Sequence, residues 1–105
     1  TRMSGTEDRV ETLHPEGKQG VRIERAKYEQ MKRALLEVIP LNEAGVPFKD
    51  LRELVDAHLD SDVFGPEVSR GWYVTVVKQD LEARERIEQV PGARPQHLRR
   101  VRKPG

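Results

Sequence analysis

Residues 69–90 read SRGWYVTVVKQDLEARERIEQV, and this stretch is the most informative part of the sequence for the fold. Ser69 suits an N-cap, because its hydroxyl can accept a hydrogen bond from an unpaired backbone N–H in the first turn of a helix. Val74, Val77 and Leu81 recur at three- and four-residue spacing, which predicts an amphipathic helix. The valines also suit a strand, but the run DLEAR that follows them favours the helix.

A hairpin is predicted directly after this helix, which we expect to span residues 70–84. Residues 87–90 and 96–101 have strand character, and the Pro-Gly pair between them favours a tight reversal. The last segment, residues 102–105, is expected to be a flexible tail.

Two more helices and a short strand are predicted upstream. Residues 24–39 form the clearest helix, because apolar side chains make one stripe along it and Pro40 ends it. Residues 46–48 suit a very short strand that leads into a second helix ending near Leu59. The stripe on the first helix consists of Tyr28, Met31, Ala34, Leu35, Val38 and Ile39.

The N-terminal part of the chain predicts a flexible tail followed by a hairpin or looped arm. Residues 1–11 have no apolar period, so we expect them to be mobile. Residues 12–23 have apolar ends and a centre rich in glycine, proline and polar residues. Leu13, Val21 and Ile23 are the expected anchors of this arm. The sequence leaves open whether the arm packs on its own domain or on a neighbour.

Composition limits the class of protein. A chain of 105 residues fits a single small domain. The absence of cysteine excludes disulfides and thiolate metal sites, and no two histidines have the spacing of a zinc-binding helix. No apolar run has the length of a membrane helix, so we expect a cytoplasmic location. The sequence predicts no enzymatic activity, no cofactor, no metal and no small-molecule ligand.

The charge is unevenly distributed, although the net charge is only +1. Residues 1–69 carry 14 acids and 10 bases, whereas residues 70–105 carry 9 bases and 4 acids. Such an asymmetry is typical of a chain with a nucleic-acid contact surface in its basic part. The alternative is an arginine-rich segment that serves solubility.

The order of helix, short strand, two helices and final hairpin resembles the winged helix-turn-helix family. VPFKDL at 46–51 resembles that family's passage from strand into second helix, and LEARERIEQV at 81–90 resembles the end of its recognition helix. HPEGK at 14–18 and GWYVT at 71–75 are also similar to a small, uncharacterised bacterial family. The resemblance implies an α+β winged-helix domain over residues 24–101, with three helices, a C-terminal hairpin wing and an additional N-terminal hairpin or arm.

The same resemblance implies a transcription regulator that binds double-stranded DNA with its third helix in the major groove. If the valine and leucine line of that helix faces the core, we expect the polar residues between to face outward. Wing arginines would contact phosphate or enter the minor groove, unless they pair with Glu85 and Glu88 across the hairpin. The candidate nucleic-acid-binding residues are Arg70, Thr75, Lys78, Gln79, Glu82, Arg94, Arg99 and Arg100.

A protein-interaction or dimerisation module on the same fold, without DNA binding, is the alternative function. Asp80 and Glu82 in the predicted third helix favour this alternative, because the recognition helices of many DNA-binding domains are more uniformly basic. Trp72 and Tyr73 suit core or dimer contacts more than a stacking surface for a single strand. A homodimer is compatible with either function, through the N-terminal arm, the first helix or the third helix.

Overall fold

Three helices and five short strands make up the structure, a computed structural model that describes residues 9–41, 44–65 and 68–101. The predicted tails at 1–8 and 102–105 lie outside the described residues. The helices are α1 (Arg25–Val38), α2 (Phe48–Asp56) and α3 (Arg70–Ala83). The strands are β1 (Arg9–Glu11), β2 (Arg22–Glu24), β3 (Val46–Pro47), β4 (Ile87–Gln89) and β5 (His97–Arg100).

The core lies where the three helices meet the C-terminal hairpin. The predicted stripe of the first helix is half-buried at Val38 and buried at its other five positions, and the predicted line of α3 is buried at every position. Helical spacing therefore identified the core sides of α1 and α3 correctly. The remaining buried apolar residues come from the other elements and the loop after α2, and they are Ile23, Leu51, Val55, Phe64, Ile87 and Leu98.

The C-terminal hairpin belongs to a three-stranded antiparallel sheet of order β3-β5-β4. Glu88 of β4 lies opposite Arg99 of β5, and Val46 of β3 lies opposite Leu98. The predicted α+β fold, with three helices, a C-terminal hairpin and an N-terminal hairpin, is confirmed. This layout is compatible with a winged-helix-like arrangement.

The N-terminal hairpin pairs residues 9–11 with residues 22–24, so its first strand lies before the predicted limits of 12–23 and its second strand extends one residue beyond them. The expectation of a mobile segment up to residue 11 was wrong for 9–11, which form a strand. Of the expected anchors, only Ile23 is buried, while Leu13 and Val21 are 44% and 37% exposed. The hairpin packs on α1 of its own domain, which answers the question that the sequence left open.

The helix α2 ends at Asp56, three residues before the predicted end near Leu59. The chain continues in tight turns, with the His58 N–H bonded to the Val55 carbonyl. Phe64 then folds under the domain and is fully buried. The link to α3 therefore packs against the domain around Phe64. In the described ranges, none of the helices combines the length and the hydrophobicity that crossing a membrane requires.

Candidate functional site

The helix α3 has four sides, and each has a different environment. Its core side is apolar, and its outer side carries Trp72, Val76, Gln79 and Ala83, which are exposed or half-buried. One flank faces the N-terminal hairpin and contains Asp80. The opposite flank faces the C-terminal sheet.

Asp80 forms a buried polar cluster that connects three parts of the chain. Its carboxylate is fully buried and accepts a hydrogen bond from the Leu13 backbone N–H at 2.9 Å. It also accepts from the Tyr28 hydroxyl of α1 at 2.5 Å and from Arg84 Nε at 2.9 Å. We call these four residues the Asp80 cluster. It fixes the N-terminal hairpin and α1 to α3.

The Asp80 cluster changes the acidity of its members. Burial raises the pKa of the Tyr28 phenol to about 12, and the hydrogen bond and charge of Asp80 act in the same direction. Burial lowers the pKa of the Arg84 guanidinium, but the hydrogen bond to Asp80 and the attraction of that carboxylate raise it. The net result is a raised pKa. Both groups therefore keep their protons, as a structural cluster requires.

Lys78 and Glu82, which we expected on the outer face, are buried against the C-terminal sheet. Their side chains are each 7% exposed and form an ion pair of 2.9 Å. The Lys78 ammonium lies 4.9 Å from the centre of the Phe48 ring and 3.4 Å from Gln96 Oε1. Glu82 also accepts a hydrogen bond from Gln89 Nε2 at 2.9 Å. We call these five residues the Lys78 cluster.

The expectation that Lys78 and Glu82 face outward was wrong, because this flank of α3 packs against the C-terminal sheet. We expected α3 to present the Lys78 ammonium to a DNA groove, but this ammonium pairs with Glu82 inside the domain. Lys78 lies one turn after Val74, on the side of the helix that faces β4 and β5.

Arg70 and Thr75 also use their side chains within the domain. The Arg70 guanidinium contacts Asp56 at 2.9 Å and donates to the Phe64 carbonyl at 2.7 Å, so it holds the loop between α2 and α3. The Thr75 hydroxyl donates to the Gly71 carbonyl one turn earlier at 3.1 Å. Half-buried Thr75 lies beside the outer face.

The arginines of the C-terminal hairpin have different environments. Arg99 Nε donates to Glu88 at 2.6 Å, which is the cross-strand pairing that the sequence analysis gave as the alternative to phosphate contact. Arg100 Nε donates to the Ile39 carbonyl at 2.8 Å and so fixes β5 to the end of α1. Arg94, between the two strands, is exposed.

The eight predicted residues therefore do not form one basic face. Gln79 is half-buried on the outer side of α3 and Arg94 is exposed near the hairpin turn, whereas the other six have partners inside the domain. Thr75 and Arg100 donate to backbone carbonyls, and Lys78 and Arg99 pair with carboxylates. Glu82 pairs with an ammonium and accepts from an amide. Arg70 contacts both a carboxylate and a backbone carbonyl.

The outer face of α3, formed by Trp72, Val76, Gln79 and Ala83, has no charged member. Trp72 is 45% exposed, and its ring packs edge-on against Tyr73 with 4.9 Å between centroids. Tyr73 in turn packs edge-on against buried Phe64 at 5.4 Å, so the tryptophan is supported from the core. In the described ranges, no group of three acidic, histidine or cysteine side chains is placed to hold a metal ion.

Sequence reasoning missed the two polar clusters. The available signal was the spacing of opposite charges along α3, since Lys78 precedes Glu82 by four residues and Asp80 precedes Arg84 by four. Such pairs are common on exposed helix faces, so the spacing alone does not indicate burial. The deciding partners come from distant segments of the chain.

The comparisons with known proteins give a family and no relative of known activity. No curated protein and no solved structure matches the chain. The model of a family of unknown function (DUF6958) matches residues 9–98, which include every element of the described fold except the second half of β5. The chain therefore belongs to this family of unknown function.

Proposed function

We propose that this protein is a non-catalytic interaction module on a winged-helix fold, which forms a homodimer through the outer face of α3. The observation that carries the proposal is the neutral, partly apolar character of that face, with a supported tryptophan at one end. A surface that binds nucleic acid derives its affinity from cations. Tryptophan, by contrast, is the residue type most enriched among the energetic anchors of protein interfaces.

A second copy of the chain is the partner that fits this face. Trp72, Val76, Gln79 and Ala83 follow one another at intervals of four, three and four residues, which is the spacing of a coiled-coil seam. In an antiparallel pair about a two-fold axis, Trp72 would lie opposite Ala83, and Val76 opposite Gln79. The largest residue of the face would thus lie opposite the smallest, and no like charges would meet.

The expected dimer is weak unless the N-terminal hairpin takes part in it. A helix of 14 residues is about 21 Å long. A pair of such helices alone buries less than the roughly 1,200 Å² of a standard interface. Leu13 is 44% exposed and its backbone is bonded to Asp80 on the flank next to the outer face, so we expect it to extend the contact. We expect a dissociation constant on the order of micromolar.

Trp72 makes the proposal directly testable, because it is the only tryptophan of the chain. On raising the protein concentration, its emission should shift to shorter wavelength together with the appearance of a dimer in sedimentation velocity. Val76→Asp should keep the protein monomeric, while Leu54→Asp, on an exposed apolar residue of α2, should dimerise normally. A chain that stays monomeric up to about millimolar concentration would overturn the homodimer, as would dimerisation of Val76→Asp at normal strength.

Binding of double-stranded DNA by a cytoplasmic transcription regulator is a second candidate, favoured by one observation. Arg94 is exposed near the turn of the C-terminal hairpin and forms no ion pair with any described residue. Fluorescence anisotropy with a random duplex should then show affinity that falls steeply with salt and is reduced in Arg94→Ala. Arg33→Ala, an exposed arginine of α1, is the matched control. Absence of binding at low salt would exclude this candidate.

A further inference from the structure

A basic cleft of about 290 Å³ lies between α1 and the end of α3, on the flank away from the C-terminal sheet. Four cationic side chains line it: Arg25 and Lys32 from α1, Arg84 at the end of α3, and Arg86 in the turn that follows. The cations therefore come from two sides of the cleft.

Acidic groups do not neutralise the cleft. Glu29 is the carboxylate of the lining, and it contacts Lys32 at 3.3 Å and Arg25 more loosely at 4.0 Å. Asp80 lies behind Arg84 and is fully buried, with its oxygens occupied by the members of its own cluster. The lining thus has an excess of positive charge.

Three carbonyl oxygens at the end of α3, which would otherwise face an anion unpaired, accept backbone hydrogen bonds. Glu85 has a φ of 63°, and this left-handed residue closes the helix. The N–H groups of Glu85 and Arg86 then bond to the carbonyls of Glu82 and Leu81, at 3.0 and 2.9 Å. The carbonyl of Asp80 accepts from the Arg84 N–H at 3.0 Å. This ending also brings Arg84 and Arg86 to the same cleft.

We propose that this cleft binds the phosphoryl group of a small phosphorylated compound or of free phosphate. Guanidinium groups bind phosphoryl oxygens in pairs of parallel hydrogen bonds. Arg84 uses Nε for Asp80, and its side chain remains 41% exposed at the cleft. Arg86 is exposed beside it, and Lys32 supplies a further charge from α1.

Size and lining restrict the ligand to a small one. The volume holds a phosphoryl group with a short substituent, since sites for larger ligands begin at roughly 300 Å³ and extend to 1,000 Å³. The floor consists of Val10, Leu81 and Tyr28. The Tyr28 ring has the Lys32 ammonium 5.5 Å from its centre, so it offers no free face for a nucleobase. A nucleotide is therefore a poorer fit than a phosphate monoester.

The test is an NMR titration of the full chain with inorganic phosphate and with methyl phosphate, at ionic strength held constant with potassium chloride. We expect saturable shifts that centre on the side-chain N–H signals of Arg84 and Arg86 and on the Leu81 amide. The tighter of the two probes identifies whether a monoester or free phosphate is the better ligand. Arg86→Gln should weaken binding at least tenfold, whereas Arg33→Gln, an exposed arginine outside the cleft, should bind like the natural chain.

Two results would overturn the phosphoryl site. The first is the absence of saturable shifts with both probes, or shifts spread over all exposed bases. The second is equal affinity of Arg86→Gln and the natural chain. The site is independent of the proposed dimer, because the monomeric Val76→Asp variant should bind the probes equally well. Failure of one proposal therefore leaves the other standing.

Discussion

Asp80→Ala is the substitution that should reveal most about how this domain is held together. Alanine would leave the partly buried Leu13 N–H and the buried Tyr28 hydroxyl without their acceptor. Each stranded buried donor costs about 1–3 kcal/mol. Arg84 is 41% exposed and stays hydrated, so it adds little. We expect the free energy of unfolding to fall by about 2–5 kcal/mol, a large part of the roughly 5–15 kcal/mol of a small domain.

The assay is urea unfolding followed by circular dichroism, combined with hydrogen exchange at individual amides. Asp80→Asn should cost about half as much as the alanine variant, because one amide oxygen still accepts from Leu13 or Tyr28. The Leu13 amide should lose its protection in Asp80→Ala at urea concentrations where the helices are still folded. Glu37→Ala, an exposed acid of α1, is the control and should change stability by less than about 0.5 kcal/mol.

The reasoning would be refuted by a loss below about 1 kcal/mol in Asp80→Ala, because two stranded donors cannot cost so little. It would also be refuted by unchanged exchange at Leu13. In that case the N-terminal hairpin would be held by the apolar packing of Ile23 and Val10. A loss in Asp80→Asn as large as in the alanine variant would show that the negative charge, not the acceptor, is what the cluster needs.

Three other predictions concern pH, the end of α3 and the N-terminal hairpin. Stability should be complete below about pH 10 and fall towards pH 12, because the unfolded Tyr28 phenol ionises near 10.0 while the folded one keeps its proton to about 12. Urea midpoints of Tyr28→Phe should lack this loss, and a parallel decline in both chains would contradict it. Glu85→Gly should raise stability by about 1 kcal/mol, because a left-handed φ of 63° costs a non-glycine residue roughly 1–2 kcal/mol and the freedom of glycine in the unfolded chain offsets part of this gain. An unchanged urea midpoint would count against this prediction. Gly20→Ala should open the hairpin, because a Cβ there would lie 1.8 Å from the Thr12 carbonyl oxygen; β1 amides that stay protected from exchange would disprove the clash.

The elements of the fold were predictable because they depend on local patterns. The spacing of Val74, Val77 and Leu81 predicted a helix that begins at Arg70, and the structure begins α3 at the same residue. Ser69 is its N-cap, with its hydroxyl accepting from the Trp72 N–H as expected for that residue type. Apolar periodicity and capping act within a few residues, so one sequence is enough to recognise them.

The candidate site was harder to predict because its orientation depends on distant partners. Asp80 is bonded to Tyr28 and Leu13, which are 52 and 67 residues away in the sequence. Nothing next to Asp80 shows that its carboxylate is covered. Lys78 was expected to face outward because it is not part of the apolar line of Val74, Val77 and Leu81. Its position four residues after buried Val74 was the better guide to its side of the helix.

The same burial explains why a DNA-binding role for α3 ranks below the dimer. To present Lys78 to a groove, the C-terminal sheet would have to move away from α3, and the ammonium would lose its contacts with Phe48 and Gln96. Glu82 would then be left without its ion-pair partner. Breaking a buried ion pair costs about 3–5 kcal/mol, which corresponds to a loss of affinity on the order of a hundredfold or more. Binding of a partner to the outer face of α3 leaves the ion pair of Lys78 and Glu82 intact. Dimerisation through this face therefore avoids the free-energy cost that DNA binding through Lys78 would carry.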